Sequence, residues 1–387
     1  MTTTSRPRII KVFTVLLVIC ATVSMTRGLL VAIGKTGSWD LTVRSVEYRY
    51  FAQHVYPDIA IEANSVSDEI LYSVYPPYAF PMFAPYFASG SFLAAQIIFW
   101  ATSFAALVAI GMYSFRELRA AGVEAAQLGA FAGIAIAHNS SAIAFGQFSI
   151  ICMGWVAIQL YCLQRGKIMA AGLFWALAML KPQIGLAFAL PFLLDRRWRG
   201  LALGVAILGG LSWFTCIYTE VSPLVLIDHW FVRQSYSFIT GGGSQGSSSG
   251  GILAAWGADS RTAMFISLAV AAAIGTFAWL RVRRSHMSMP VLIAVSAIAG
   301  RVFLPHRAYD NIMLFPALIA LLALALNRKS VSTYAMAAAF GISVWVPFTS
   351  MVRFAWVDAA LLMFWLAAAG FLVLMDAPRS LHLSDNR

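Results

Sequence analysis

Long apolar stretches, repeated from one end of the chain to the other, constrain the fold more than any other feature of this sequence. About twelve of them, between Ile9 and Met375, approach the roughly 17 to 25 residues that a helix needs to cross a bilayer. Of the 387 residues, 60% are hydrophobic and 11% are charged, which is too apolar for one water-soluble core. We therefore predict an all-α, polytopic membrane protein that forms a single domain over residues 1–387.

One of the predicted helical pairs is interrupted. Lys181-Pro182 separates two short apolar stretches, which therefore form either a short hairpin or a re-entrant segment. Non-helical backbone at membrane depth needs protein or water around it, so this break is expected to line a cavity. Gly200 and Gly204 are spaced for close packing against a neighbouring helix. The predicted spans, with boundaries good to several residues, are 9–33, 91–113, 123–138, 146–163, 167–180, 183–194, 200–219, 262–281, 288–303, 310–327, 331–347 and 355–375.

The distribution of charge predicts the orientation in the membrane. Lys and Arg precede the first helix and then recur on alternate loops, and basic residues are retained on the cytoplasmic side. Both termini are therefore expected to be cytoplasmic, and eleven of the 16 acidic residues then fall on the outer side. Two outer loops are long: residues 34–78, and residues 220–260 with a Gly/Ser-rich tract over 241–251 that is expected to be a flexible coil.

Several classes of function are disfavoured by the sequence. The net charge of +11 follows from the basic bias of the cytoplasmic loops, so no nucleic-acid partner is expected. The histidines and acidic residues show no metal-ligand spacing, and we predict neither a metal nor another cofactor. No glycine loop of the Walker or Rossmann type occurs in the cytoplasmic segments, which makes ATP or a nucleotide sugar a poor co-substrate. An activated substrate would then arrive through the membrane lipids.

Asp40 begins the polar part of the first outer loop, just beyond the first apolar stretch. If the segment from Trp39 to Tyr48 is helical, the spacing places Asp40, Arg44 and Glu47 on one face. Such a face would present a base beside a cation. The alternative is a solvated loop helix whose charges pair with each other.

Four further polar motifs map to the same predicted side of the membrane. They are Tyr75-Pro76-Pro77, Gly146-Gln147, Lys181-Pro182-Gln183 and the segment from Pro305 to Asp310. The prolines of the first motif hold the backbone extended before the second helix. Ionisable residues at membrane depth are costly and tend to line substrate paths, so these motifs are expected to converge on one site.

In this order, the motifs resemble the polyprenol-phosphate-dependent glycosyltransferases of family 87, which share the GT-C membrane fold. The resemblance implies a GT-C-like bundle of about twelve transmembrane helices with extracytoplasmic loops, in a bacterial-type cytoplasmic membrane. It implies transfer of a sugar, mannose or another hexose or pentose, from a polyprenyl-phosphate donor to a lipid or glycan acceptor. Transfer would occur on the extracytoplasmic face, with inversion at the anomeric carbon.

The resemblance also implies roles for individual residues. Asp40 would be the catalytic base that takes the proton of the acceptor hydroxyl. Lys181, His306 and Arg307 would bind the donor phosphate, because fixed cations stabilise its developing charge. For Lys181 the alternative is a side chain that snorkels to the interface, and for His306 it is a neutral, hydrogen-bonded loop histidine. The expected substrate-binding residues are Arg44, Glu47, Tyr75, Gln147, Gln183, Tyr309 and Asp310.

Asp310 is expected to pair with an arginine, because a second free carboxylate would repel the phosphate. Two other classes of function stay open at this point. An O-antigen ligase or polymerase also uses lipid-linked sugars, but is expected to carry its main catalytic loop, rich in arginine and histidine, late in the chain. A transporter or flippase of lipid-linked glycans would carry charged residues in the middle of its helices.

Overall fold

The structure, a computed structural model of the chain, describes residues 5–34, 38–59, 75–230, 248–285, 287–347 and 355–376. Within these ranges the backbone forms helices and turns and no strand. The prediction of an all-α protein is therefore confirmed. Most of the helices coincide with the apolar stretches of the sequence, because an apolar segment in a bilayer satisfies its backbone groups within its own helix.

Eighteen α-helices are numbered here, and three 3₁₀ segments accompany them. The first nine helices are α1 (Ser5–Ile33), α2 (Trp39–Ala52), α3 (Ala79–Met82), α4 (Ala84–Phe87), α5 (Phe92–Leu118), α6 (Val123–Ala132), α7 (Asn139–Phe145), α8 (Ser149–Gln164) and α9 (Ile168–Ala178). The other nine are α10 (Pro182–Gly185), α11 (Leu190–Leu194), α12 (Trp198–Thr219), α13 (Ser249–Ala255), α14 (Ser260–Ser285), α15 (Met289–Phe303), α16 (Phe315–Arg328), α17 (Val331–Trp345) and α18 (Ala355–Asp376). The 3₁₀ segments are Arg119–Ala121, Leu186–Ala189 and Ala308–Leu314.

Five of the described helical stretches are long and apolar enough to cross a membrane, and six shorter apolar helices accompany them. The long stretches indicate a membrane protein. The expected count of about twelve spans is not reproduced by this criterion. The five long stretches are Arg8–Ile33, Phe92–Ala121, Trp198–Thr219, Ala308–Arg328 and Trp356–Asp376.

One predicted helix, over residues 123–138, ends early in the structure. The helix α6 ends at Ala132, and α7 begins at Asn139. The side-chain amide of Asn139 donates to the carbonyl oxygens of Gly133 and Ile134, at 3.2 and 3.0 Å. Carbonyl groups at the end of a helix lack partners within the helix. Here the Asn139 amide is the donor to two of the carbonyl groups that follow α6. The prediction is therefore wrong over residues 133–138, which are not helical.

The two long predicted loops contain more helix than expected. The first, residues 34–78, holds α2, and its residues 35–37 and 60–74 lie outside the described ranges. The second, residues 220–260, is helical over 223–230 and again in α13. The prediction of a flexible coil over 241–251 is wrong for Ser249–Gly251, which begin α13, while 241–247 lie outside the description.

Close helix packing at glycine is confirmed between α9 and α12. A Cβ atom at Gly200 would lie 2.5 Å from the carbonyl oxygen of Ile168, and one at Gly204 would lie 2.5 Å from the Trp175 ring. Both distances are shorter than any van der Waals contact allows, so only glycine permits this approach. The two glycines therefore serve packing, as their spacing predicts.

The candidate site lies where several helix ends meet. The 3₁₀ segment Ala308–Leu314 packs against α7, α8 and α15, and the start of α2 packs against α7. The break between α9 and α10 lies near α8 and α15, because α10 packs against both of these helices. This packing brings together four polar motifs that are far apart in the sequence.

Candidate active site

A continuous chain of hydrogen bonds joins Asp40 to Asp310 through Gln147 and Lys181. The side-chain amide of Gln147 donates from Nε2 to Oδ2 of Asp40, and Lys181 donates from Nζ to Oε1 of Gln147, at 3.2 Å. Lys181 also donates to Oδ1 of Asp310, at 2.8 Å. The convergence that the sequence predicts is therefore present for four residues taken from four different motifs.

Lys181 is buried at the break between α9 and α10, where 3% of the residue is exposed. Its backbone is extended, with φ −112° and ψ 94°, as expected for a residue that precedes proline. The extended residue turns the chain between the two helices. The alternative in which Lys181 snorkels to the interface is wrong, because the ammonium group lies inside the protein.

Asp310 is surrounded by four donors. Its Oδ1 accepts from Lys181 and from the hydroxyl of Ser149, at 2.5 Å. Its Oδ2 accepts from the backbone N–H of Arg307, at 3.3 Å, and lies 3.2 Å from Nδ1 of His306. The expectation that an arginine pairs with Asp310 is corrected: the cation at its carboxylate is Lys181, delivered by the break in the helical pair.

Asp40 lies in the first turn of α2 and is half-buried. Gly146, which precedes Gln147, lies close to the start of α2. Its backbone is left-handed, with a φ of +75°. A Cβ atom at Gly146 would lie 2.6 Å from Cβ of Leu41, so only glycine lets this turn meet the start of α2. The Gly-Gln motif therefore places an amide next to the Asp40 carboxylate.

The face of α2 is arranged as its spacing predicts. Arg44 and Glu47 form an ion pair with an N–O distance of 2.8 Å, and the Arg44 guanidinium lies 4.8 Å from the centre of the Tyr75 ring. The charges pair, as in the alternative interpretation, but they are buried rather than solvated, with 4% of Arg44 and none of Glu47 exposed. Burial raises the pKa of the Tyr75 hydroxyl, which stays protonated.

His306 lies between α15 and the 3₁₀ segment and is buried. Burial lowers the pKa of its imidazole; Lys181 and Arg301 act in the same direction, and the bond to Asp310 opposes them. The ring is therefore neutral at pH 7, with Nδ1 donating to Asp310 and Nε2 left as an acceptor. These are the features of the alternative interpretation, a neutral, hydrogen-bonded loop histidine. Nε2 is buried and has no hydrogen-bond partner among the described residues.

The remaining predicted residues lie at the border of this network. Arg307 is half-buried and forms no ion pair with a described residue. The Tyr309 ring lies beneath the ammonium group of Lys181, 4.9 Å from its centre to Nζ. Gln183 is half-buried in α10 and makes no hydrogen bond within the described ranges, so the structure does not join it to the other residues.

Two residues of this region were not assigned by the sequence. Ser149 follows the Gly146-Gln147 motif by two positions, and this proximity was the only signal. Arg301 is fully buried in α15, donates from Nε to Oδ1 of Asn311 at 2.8 Å, and lies 5.3 Å from the Trp365 ring centre. A buried arginine in an apolar helix was the available signal.

The arrangement is suited to proton transfer from a hydroxyl group. One oxygen of Asp40 is held by the Gln147 amide. The other oxygen has no hydrogen-bond partner among the residues that the structure describes, and the side chain is partly accessible. A carboxylate held in this way can accept a proton from a ligand.

Comparison with known proteins gives one match. The sequence model of a family described as glycosyltransferase family 87 matches residues 74–305, which is more than half of the chain. The match includes Tyr75, Gln147 and Lys181. Asp40 lies well before the matched range, and the segment from His306 to Asp310 begins directly after it. No curated protein and no solved structure matches the chain.

Proposed function

Since the chain belongs to glycosyltransferase family 87, we propose that it transfers a sugar from a polyprenyl-phosphate donor to a lipid or glycan acceptor, with inversion at the anomeric carbon. The observation that carries this proposal is the partly accessible carboxylate of Asp40, which lies at the end of the buried network. We place the site on the extracytoplasmic side of the cytoplasmic membrane, as the distribution of basic residues predicts.

The proposed reaction is a single displacement. Oδ1 of Asp40 takes the proton of the acceptor hydroxyl while the hydroxyl oxygen attacks the anomeric carbon. The new bond joins this oxygen to the carbon, and the bond from the carbon to the phosphate oxygen breaks. Polyprenyl phosphate leaves with the bonding electron pair. Attack from the face opposite the phosphate inverts the anomeric configuration.

The leaving phosphate needs positive charge near it. Among the three residues expected to bind it, Arg307 is the one whose charge is not balanced by a carboxylate in the described part of the chain. Lys181 is already paired with Asp310. We therefore propose Arg307 as the main contact of the phosphate, joined by His306 after the imidazole takes up a proton.

Acceptor binding is proposed on the α2 side of Asp40. Tyr75 lies against Arg44 there, and the 7% of the residue that is exposed can contact a sugar face. The buried Arg44–Glu47 pair holds this surface in place. The acceptor would then approach Asp40 from the side opposite Arg307.

The test uses the purified protein in lipid nanodiscs, with membrane lipid extract as acceptor. Radiolabelled polyprenyl-phosphate sugars are compared with nucleotide sugars, and the anomeric configuration of the product is determined by NMR. Transfer from the polyprenyl-phosphate sugar alone, with inversion, supports the proposal. Transfer from a nucleotide sugar, retention of configuration, or no transfer under conditions where a control enzyme uses the same donors would overturn it. Transfer of a whole glycan from a diphosphate-linked donor would instead favour a ligase.

A further inference from the structure

We propose that Gln147 is a positioning residue for Asp40, and that the Lys181–Asp310 ion pair fixes the orientation of its amide. This inference rests on the proposed function, because it takes Asp40 as the base. It gives Gln147 and Lys181 a different role from the substrate and phosphate contacts that the sequence suggests. Both would act on the reaction through Asp40.

Lys181 has no N–H group free for a ligand. An ammonium group has three donors, and Nζ of Lys181 lies within hydrogen-bond distance of three acceptors: Oε1 of Gln147 at 3.2 Å, the Ser149 hydroxyl at 2.8 Å and Oδ1 of Asp310 at 2.8 Å. A phosphate oxygen could bind Nζ only by displacing one of them. The geometry therefore suits a fixed structural cation.

The ammonium group decides which way the Gln147 amide points. Lys181 can only donate, so the Gln147 atom facing it must be the carbonyl oxygen Oε1. The amide nitrogen must then face Asp40, and it donates to Oδ2. In the opposite orientation the NH₂ group would face the ammonium and Oε1 would face the carboxylate, and both contacts would be repulsive. The ion pair thus specifies which end of the Gln147 amide is the oxygen and which is the nitrogen, a choice that the shape of the side chain alone does not decide.

Asp310 in turn fixes the position of Lys181. Its carboxylate is held by the Ser149 hydroxyl, by the backbone N–H of Arg307 and by His306. With all of these bonds made, neither Asp310 nor Lys181 can turn without leaving a buried polar group unpaired, which is costly. The network is therefore rigid up to its last member, the Asp40 carboxylate.

The consequence for the reaction is geometric. With Oδ2 of Asp40 held by Gln147, Oδ1 is kept in one place, where it can meet the acceptor hydroxyl. Without the amide, the carboxylate can rotate, and a smaller fraction of the enzyme has the base in the attacking position. Loss of position near the reacting atoms lowers kcat, whereas substrate affinity depends on other contacts.

The test is a double-mutant cycle measured on kcat in nanodiscs. Gln147→Leu removes the bond to Asp40, and Lys181→Met/Asp310→Asn removes both charges of the pair together. We expect Gln147→Leu to lower kcat by about 10- to 100-fold with an unchanged KM for the donor. In the Gln147→Leu background, Lys181→Met/Asp310→Asn should bring no further fall in kcat, because Asp310→Asn keeps a side-chain oxygen for the Arg307 N–H and His306, and the pair then acts only through the amide.

Gln159→Leu is the matched control. It makes the same substitution in α8, at a buried amide that donates to the carbonyl of Phe188 at 2.8 Å, away from Asp40. Its kcat should stay near that of the wild type. A kcat near wild type for Gln147→Leu, a rise in donor KM instead of a fall in kcat, or independent effects in the cycle would overturn the inference.

Gln147→Glu keeps the test decisive if the variant without the ion pair does not fold. Glutamate, which the Lys181 ammonium favours in its ionised form, still accepts from Lys181 but cannot donate to Asp40, so kcat should fall at least as far as in Gln147→Leu. An active Gln147→Glu enzyme would contradict the inference. Failure of the proposed function looks different: the wild type would then transfer no sugar, or Asp40→Asn would transfer it normally.

Discussion

The ammonium nitrogen of Lys181 lies 2.8 Å from Oδ1 of Asp310, although 129 positions separate the two residues in the sequence. Both side chains are buried. Desolvation of two charges costs free energy that their attraction recovers only when the geometry is good and the remaining donors and acceptors are bonded. Here the five other bonds of the pair meet that condition.

Removal of one member of this pair is expected to destabilise the protein. Lys181→Met leaves the Asp310 carboxylate buried without its cation, at a cost of about 3–5 kcal/mol. Lys181→Met/Asp310→Asn removes both charges and should recover part of this loss. The unfolding temperature of each variant in detergent is the measurement.

Lys167→Met is the control for this comparison, since Lys167 is exposed just before the start of α9. It should unfold at the temperature of the wild type. If Lys181→Met were as stable as Lys167→Met, the Lys181–Asp310 pair would not stabilise the fold. If the paired substitution were less stable than Lys181→Met, the cost would not come from an uncompensated charge.

Gly146→Ala is expected to impair transfer more than its backbone strain explains. Alanine in the left-handed region costs about 1–2 kcal/mol, and the added Cβ would also press on Leu41, next to Asp40. Displacement of the base by about 1 Å can lower the rate about 100-fold. The measurement is kcat, together with the unfolding temperature.

Gly166→Ala separates the two effects. Gly166 has a φ of +70°, close to that of Gly146, but a Cβ atom there would meet nothing within 4 Å. Both variants carry the same backbone strain, so the additional loss of stability in Gly146→Ala measures the clash with Leu41, and only Gly146→Ala should lose most of its activity. Equal kcat in the two variants would show that the approach of Gly146 to Leu41 does not position the base.

Donor binding is expected to strengthen as the pH falls from about 8 to about 6. The lowered pKa of His306 leaves its imidazole neutral at pH 7, and the proposed phosphate contact favours the protonated ring. The donor is a phosphodiester and keeps its single charge over this range. Uptake of one proton on binding lowers Kd by up to about tenfold per pH unit.

The binding measurement uses the Asp40→Asn variant, so that no donor is consumed. Lys181, Arg301 and Asp310 are the charged groups that act on the imidazole. His306→Gln in the same background should bind the donor more weakly, with a Kd that does not vary with pH. A constant Kd with His306 present would show that the imidazole stays neutral in the complex.

The positions of many helices could be predicted from the sequence, because the length of an apolar stretch and the position of a proline act locally. The break at Lys181-Pro182 and the close packing at Gly200 are examples. The division between α6 and α7 could not be predicted, since it depends on an Asn139 side chain that binds carbonyl groups five and six residues earlier. The number of membrane spans could not be predicted either, because short apolar helices resemble membrane spans in sequence.

The site shows the same difference between local and distant effects. The spacing of Arg44 and Glu47 predicts their common helix face, and the structure confirms their ion pair. The partner of Asp310 could not be predicted, because Lys181 reaches it through the packing of α8 and α10 against neighbouring segments. Four motifs pointed to the convergence, but the bonds within it depend on tertiary structure.

The most direct test of the central proposal is transfer by Asp40→Asn compared with Asp228→Asn, under single-turnover conditions with saturating polyprenyl-phosphate sugar. Asp228 is exposed, so the same change of side chain there controls for the loss of a carboxylate. Removal of a general base should lower the rate about 100- to 10,000-fold in Asp40→Asn, with the donor still bound, and leave Asp228→Asn near the wild type. A wild-type rate for Asp40→Asn would contradict the assignment of Asp40 as the base.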